Sequence, residues 1–233
     1  AKLISFSNVK LIYTEHSTHN RRRNNLLFTL IDRFIYKRLD TIVCISDGVR
    51  NELIKHLKFK AKIIVINNGI NIKHFRNFNS NKTLDYFSVD DFKLIQVSSF
   101  REQKDQSTVI RSLTLLPKKV KLILVGDGEL IEMNKKLVDN LNLQNRVVFL
   151  GNRYDISNLI NQADVAILSS NNEGFGLAIV EGMACGKPVI ASDINGIRDI
   201  VKNHGLLFKK GNEIELSNLI IKLMENRAFY DKI

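Results

Sequence analysis

The chain has 233 residues, 44% of them hydrophobic and 25% charged, a globular composition that excludes a disordered or fibrous polymer. Its longest apolar runs, such as residues 122–125, fall far short of the roughly 20 residues a membrane-spanning helix needs; the absence of a charged-then-apolar leader after Ala1, and two cysteines set in apolar segments, point to a reducing cytoplasm. The net charge of +11 is lopsided, because residues 1–90 hold 16 Lys and Arg against 7 Asp and Glu while residues 91–233 hold 19 against 17. The first part is therefore expected either to meet a phosphate-bearing partner or to present a solvated basic face.

In chain order, runs rich in Ile, Val and Leu predict buried strands at 10–14, 41–45, 62–66, 93–97, 121–125, 146–150, 164–168, 188–191 and 205–208. Segments with helical spacing lie between them at 26–38, 47–57, 104–115, 128–141, 155–162, 177–185 and 212–225. This alternation predicts an α/β chain with parallel sheet wound by helices on both faces. Several strands end in Gly, Ser or Asn, where ligands bind in such sheets. A polar, aperiodic stretch from Asn71 to about Asp90 reads as a connection, giving a first unit at 1–75, a linker at 76–90 and a second unit at 91–233. The first unit holds only three strands and reads as the rear part of a domain.

The densest chemistry lies at 169–192. A strand ends at Ser169, a loop carries Glu173, and Gly174 and Gly176 open a helix that reaches Glu181. Glycines let backbone N–H groups approach a ligand closely, and a helix N-terminus adds partial positive charge, a combination suited to phosphate or a polar sugar. Two carboxylates nearby can accept hydrogen bonds from hydroxyl groups. Taken alone, the pair could equally be a dipole partner and a solvated side chain.

The same run resembles the signature of retaining glycosyltransferases of the GT-B fold, in the group called family 4 or glycosyl transferases group 1, where two glutamates stand seven residues apart as Glu173 and Glu181 do. The likeness extends to Gly174, Phe175 and Gly176, to the segments at 124–130, 147–151, 186–191 and 193–201, to 66–71, and upstream to 14–17 and 40–47. It implies two Rossmann-like, doubly wound parallel-sheet domains, the first incomplete here: the rear of an acceptor-binding domain, then a nucleotide-sugar-binding domain. By that resemblance Glu181 holds the ribose, Glu173 contacts the transferred sugar, and amides of Gly174, Phe175, Gly176 and Leu177 meet sugar hydroxyls and diphosphate. Gly126 and the loop carrying Asn152 and Arg153 also fall on the donor side. His16 and Ser46 fall on the acceptor side of the cleft.

The family places an arginine after the first strand of the donor domain and a lysine five residues later, to neutralise the leaving diphosphate. Here Lys104 is kept, Ser99 stands where the arginine belongs, and Arg101 lies two positions further on. Arg101 either reaches the same phosphate from a shifted backbone or is a surface arginine. The resemblance implies transfer from a nucleotide-diphosphate sugar to a glycan or lipid-linked acceptor with retention of configuration, in surface polysaccharide synthesis. No cofactor or metal is expected: the sequence has no Asp-x-Asp triplet and no spaced His/Cys cluster beyond His16 and His19. Nucleic acid is not expected either, for want of a reading motif. Arg21, Arg22 and Arg23 precede an amphipathic helix and could rest on anionic lipid at the inner membrane face, whereas Leu27, Leu30, Ile31 and Phe34 read as packing on the first sheet. The alternatives are a non-catalytic nucleotide-sugar or anionic-membrane binding module and a nucleotide-sugar epimerase.

Overall fold

The computed structural model describes residues 9–20, 23, 25–76 and 86–233. The first unit comprises β1 (Ile12–Glu15), α1 (Leu26–Tyr36), β2 (Thr41–Cys44), α2 (Asp47–Leu57) and β3 (Ile63–Val65), followed by the short α3 (Ile72–Arg76). The second contains β4 (Phe92–Val97), α4 (Gln106–Ser112), β5 (Val120–Val125), α5 (Ile131–Asn140), β6 (Val147–Phe149), α6 (Ile156–Gln162), β7 (Val165–Leu168), α7 (Leu177–Ala184), β8 (Val189–Ser192), α8 (Arg198–Val201), β9 (Leu206–Phe208), α9 (Glu213–Glu225) and α10 (Arg227–Lys232). Short 3-10 turns at Glu102–Lys104 and Leu113–Leu115 flank α4.

Among the described residues all strand pairs are parallel. One sheet has the order β1-β2-β3 and the other β6-β5-β4-β7-β8-β9. In the second sheet the order reverses between β4 and β7, and the crevice beyond the carboxyl ends of those two strands is where doubly wound sheets hold ligands. Strands β7 and β8 are buried throughout, and β5 at every residue but Lys121, because helices cover both faces. One core gathers Leu94, Leu122, Leu124, Ile167 and Phe208 under α4 and α9; another gathers Ile95, Ile123, Leu168, Ile179 and Ala191 under α6 and α7. Alternate residues of a strand thus feed opposite layers.

The strands fall within two residues of their expected positions, but β1 and β3, read as buried, are the edges of the first sheet and leave Ile12, Tyr13 and Ile64 exposed. Three further differences are instructive. The helix expected over 104–115 is broken at its start, because Asp105 takes a left-handed backbone (φ 43°) stabilised by Ser107 and Thr108 hydroxyls donating to its carboxylate at 2.7 and 2.6 Å. Helix α3 lies inside the stretch read as connection; its Phe75 is buried in the second unit's core and the helix packs on α6 and α7. Residues 77–85, most of the expected linker, lie outside the described residues, as do Arg21 and Arg22.

The third difference concerns α1. Leu27, Leu30, Ile31 and Phe34, read as core, are 64, 53, 43 and 50% exposed. The helix is held by polar contacts instead: Arg33 donates to the His56 carbonyl on α2, and the Tyr36 hydroxyl donates to Glu15 at 2.7 Å. Arg23 is also turned inward, its guanidinium 3.2 Å from buried Glu15 and bonded to the Thr18 carbonyl, and so does not join a lipid-facing basic surface. Among the described residues no helix is long and apolar enough to cross a membrane.

Arg146 closes the far end of the second sheet. Its guanidinium donates to the carbonyls of Leu113 (2.8 Å), Pro117 (2.9 Å), Val120 (3.1 Å) and Leu116 (3.2 Å), tying the turn after α4 to β5. Burial lowers its pKa. Replacing it by methionine removes these four bonds, although the Leu113 and Pro117 carbonyls keep the Leu116 and Val120 N–H groups as donors, and is expected to cost roughly 2–4 kcal/mol, read from urea unfolding midpoints.

Candidate functional site

The site is built where β4, β7 and the first unit meet. The chain leaving β4 is pinned by buried polar side chains. Gln96, in mid-strand and 1% exposed, donates to the Lys104 carbonyl at 3.0 Å; Gln106 donates to the Ser99 carbonyl at 3.0 Å; Ser169, fully buried at the end of β7, donates toward the Asp105 carbonyl at 2.8 Å. These bonds fix the backbone around Lys104 and aim its side chain across the crevice. There its ammonium pairs with the Glu173 carboxylate, both side chains being only 16–17% exposed.

Glu173 is held from both sides. Its carbonyl accepts from the Thr18 hydroxyl of the first unit at 2.9 Å. Next to it, the Gly174 carbonyl accepts from Ser46 Oγ at 2.7 Å, while that same oxygen accepts from the Val49 N–H and so caps α2. A Cβ on Gly174 would overlap the His16 carbonyl, so only glycine lets the two backbones approach this closely. Phe175 then inserts its ring, 8% exposed, into the first unit's core beside Ile42, Ile45 and Val49. Gly176, at φ 79°, turns the chain into α7, which starts without a side-chain cap. A second backbone contact lies beside the first: a Cβ on Gly196 would strike the Glu173 carbonyl, and one on Gly48 of α2 would strike Gly196. Asn195 adds a bond to Glu52 of α2 at 2.9 Å.

These elements enclose a cavity of about 310 Å3 into which His16, Lys104, Glu173, Phe175, Gly176 and Leu177 all open. Six of the residues singled out from sequence are thus brought together. Others are not in this lining. Arg101 is exposed and opens on a separate cavity with His19 and Lys210. Gly126 is packed between loops, its N–H bonded to the Gly151 carbonyl at 2.8 Å. The Ser99 carbonyl is taken by Gln106, Asn152 is exposed, and the Arg153 guanidinium is paired with Asp155 at 2.7 and 2.8 Å. Ser46 acts from behind, through Gly174. Gln96, Gln106 and Ser169 were missed by sequence reasoning, although a glutamine inside the apolar strand at 93–97 is a readable sign of a buried polar anchor. Among the described residues no three of His, Cys, Asp and Glu gather as metal ligands.

Glu181 lies on α7, half-buried, with no hydrogen-bond or ion-pair partner among the described residues. Burial pushes its carboxyl above the usual range. The folded chain thus binds this proton more tightly than the unfolded chain, so the Glu181 contribution to stability falls as pH rises from the ordinary carboxylate value through the raised one. Glu181→Gln is expected to be more stable than the parent above about pH 5, with the difference vanishing below about pH 4, in urea titrations across that range. Gly174→Ala is expected to open the seam between the units, read as a larger radius of gyration in small-angle X-ray scattering at unchanged circular dichroism. An unchanged radius would mean that the loop yields instead.

Residues 85–233 match the family described as Glycosyl transferases group 1, and residues 1–74 match Glycosyltransferase Family 4. The chain is 28% identical to N-acetyl-alpha-D-glucosaminyl L-malate synthase of Bacillus anthracis, over 99% of this chain and 62% of that protein. It is 27% identical to UDP-Gal:alpha-D-GlcNAc-diphosphoundecaprenol alpha-1,3-galactosyltransferase of Escherichia coli, over 94% of this chain and 61% of that protein. Among solved structures it resembles Anabaena HepE in complex with UDP, with a TM-score of 0.84 and 26% identity over 95% of this chain and 64% of that one. The fold is also that of sucrose-phosphate synthase from Thermosynechococcus elongatus, with a TM-score of 0.85 and 23% identity over 99% of this chain and 62% of that one. The chain therefore spans about three fifths of the length of these relatives. With the family matched across most of its length, and with two parallel sheets meeting at the Lys104–Glu173 crevice, the chain belongs to the Glycosyl transferases group 1 family and has the GT-B fold.

Proposed function

We propose that this chain carries the donor site of an enzyme that moves a sugar from a nucleotide-diphosphate sugar to a glycan or lipid-linked acceptor, with retention of configuration, in surface polysaccharide synthesis. The observation that carries the reading is the Lys104–Glu173 pair facing the uncapped N-terminus of α7 across one small cavity. Structures of Anabaena HepE hold UDP and UDP-glucose, and the Escherichia coli relative is named for a UDP-galactose donor and a diphosphoundecaprenol-linked acceptor. Both support the same assignment here.

In this reading the diphosphate lies against Lys104 and the first-turn N–H groups of α7, which together offset the charge that grows as the bond from the anomeric carbon to the diphosphate breaks. Glu173 releases Lys104 to the phosphate and accepts hydrogen bonds from the hydroxyls of the transferred sugar. Glu181, a carboxylate without a protein partner, takes the ribose hydroxyls. His16 faces the same cavity from the first unit and borders the space for the sugar ring. The acceptor hydroxyl forms its bond to the anomeric carbon on the face the diphosphate leaves; the bonding electron pair departs with the nucleoside diphosphate, and the hydroxyl proton passes to a departing phosphate oxygen. Positioning and charge stabilisation supply the rate, and no strong nucleophile on the protein is needed.

Calorimetry with uridine, guanosine and adenosine diphosphates tests the site and identifies the base. One of the three is expected to bind in the micromolar range, and Lys104→Ala is expected to weaken it about tenfold or more at unchanged thermal stability. Failure of all three to bind would remove the donor-site reading, and full affinity in the Lys104 variant would remove lysine from the mechanism.

A further inference from the structure

Three loops each send residues to two different cavities. His16, Lys104 and Glu173 line the small cavity described above, whereas His19, Gln103 and Asn172 line a larger one of about 740 Å3 that also takes in Arg101, Glu129 and Lys210. The immediate chain neighbours of both members of the Lys104–Glu173 pair thus face the second space. It lies at the mouth between the units, with His19 supplied by the first and the others by loops after β4, β5, β7 and β9.

The two linings differ in chemistry. The small cavity includes Ile45, Leu168, Phe175, Leu177 and Ala178, whereas the large one contains no aliphatic or benzenoid side chain. Its charges balance, with Glu102 and Glu129 against Arg101 and Lys210, and amides of Gln103, Asn171 and Asn172 stand among them. The side chains of His19, Arg101, Gln103, Glu129, Asn172 and Lys210 have no hydrogen-bond or ion-pair partner among the described residues. A lipid tail would leave these groups unsatisfied, and a bare phosphate would meet two carboxylates. Acceptors and donors mixed in one lining, with the formal charges of Glu102 and Glu129 balanced by Arg101 and Lys210, suit a neutral polyhydroxylated ring, whose hydroxyls both give and take hydrogen bonds.

We infer that the larger cavity is the subsite for the sugar end of the acceptor, so that the Lys104–Glu173 pair stands where donor and acceptor meet. This rests on the glycosyltransferase reading, since it is the second substrate of that reaction that the cavity receives. It also gives Arg101 a different place from the phosphate clamp expected from sequence. Glu129 and Lys210, from the β5 and β9 loops, become determinants of which acceptor is taken.

The test is saturation-transfer NMR on the UDP-loaded chain with glucose, galactose, N-acetylglucosamine and N-acetylgalactosamine as probes, for the parent and for a Glu129→Gln, Lys210→Ala double variant. At least one sugar is expected to show transfer that falls threefold or more in the variant, while calorimetric affinity for UDP stays within twofold. Transfer that persists undiminished in the variant, or no transfer from any of the four sugars to a chain that binds UDP, would overturn the inference. If calorimetry assigns the guanosine or adenosine diphosphate instead, that nucleotide takes the place of UDP throughout, and only failure of all three to bind the parent would strike the donor-site reading beneath it.

Discussion

The constraint on which the rest depends is the seating of residues 173–176 against the first unit. Backbone meets backbone at Gly174 and His16, the Ser46 hydroxyl ties the Gly174 carbonyl to the start of α2, and the Phe175 ring is buried in a core made mainly by the other unit, with Val180 and Ile200 packed at its edge. A loop fixed at three points has little freedom left for the side chain between them. The Glu173 carboxylate is therefore delivered to Lys104 by packing that belongs to neither strand bearing the pair, and α7 begins where Gly176 permits. Local charge, loop shape and inter-unit contact are one structure here, so preorganisation of the crevice follows from burial behind it.

The second sheet supplies the opposite wall by different means. Its strand order reverses between β4 and β7, which opens a crevice without any loss of core, because the helices on either side still cover the sheet. The floor of that crevice is polar yet dry: Gln96, Gln106 and Ser169 are buried and bonded to carbonyls of the turn after β4. Buried polar groups of this kind tolerate little rearrangement once satisfied, which suits a turn that must hold a lysine in one place.

Much of this was legible in the sequence. Runs of Ile, Val and Leu located the nine strands of the described residues, but burial on both faces holds only for some of them: β7 and β8 are buried throughout, whereas β1 and β3 are edge strands that leave side chains exposed. The glutamate spacing and the glycines around Phe175 located the loop. The parts that were not legible have physical reasons. Helices α3, α8 and α10 are at most six residues long and leave no period to read. Arg101 cannot be placed from its distance to Lys104, because the 3-10 turn over Glu102–Lys104 sets directions that spacing does not encode. For α1, periodicity declares a face apolar but says nothing about whether a partner covers it, and Leu27, Leu30, Ile31 and Phe34 stand exposed.

The column of backbone contacts running from Gly48 through Gly196 and Glu173 to His16 has a mechanical consequence. Side chains at a seam can change rotamer and let two bodies slide by degrees, whereas bare main chain has no such slack. Dispersion contact and the short Ser46 bond both fade within a fraction of an ångström. The main-chain part of the seam therefore behaves as a stiff catch with a short throw, even though Thr18, Ser46, Phe175 and Asn195 add side-chain contacts beside it. Because the Glu173 carbonyl forms part of that column, the geometry of the Lys104–Glu173 pair is tied to the engagement of the seam.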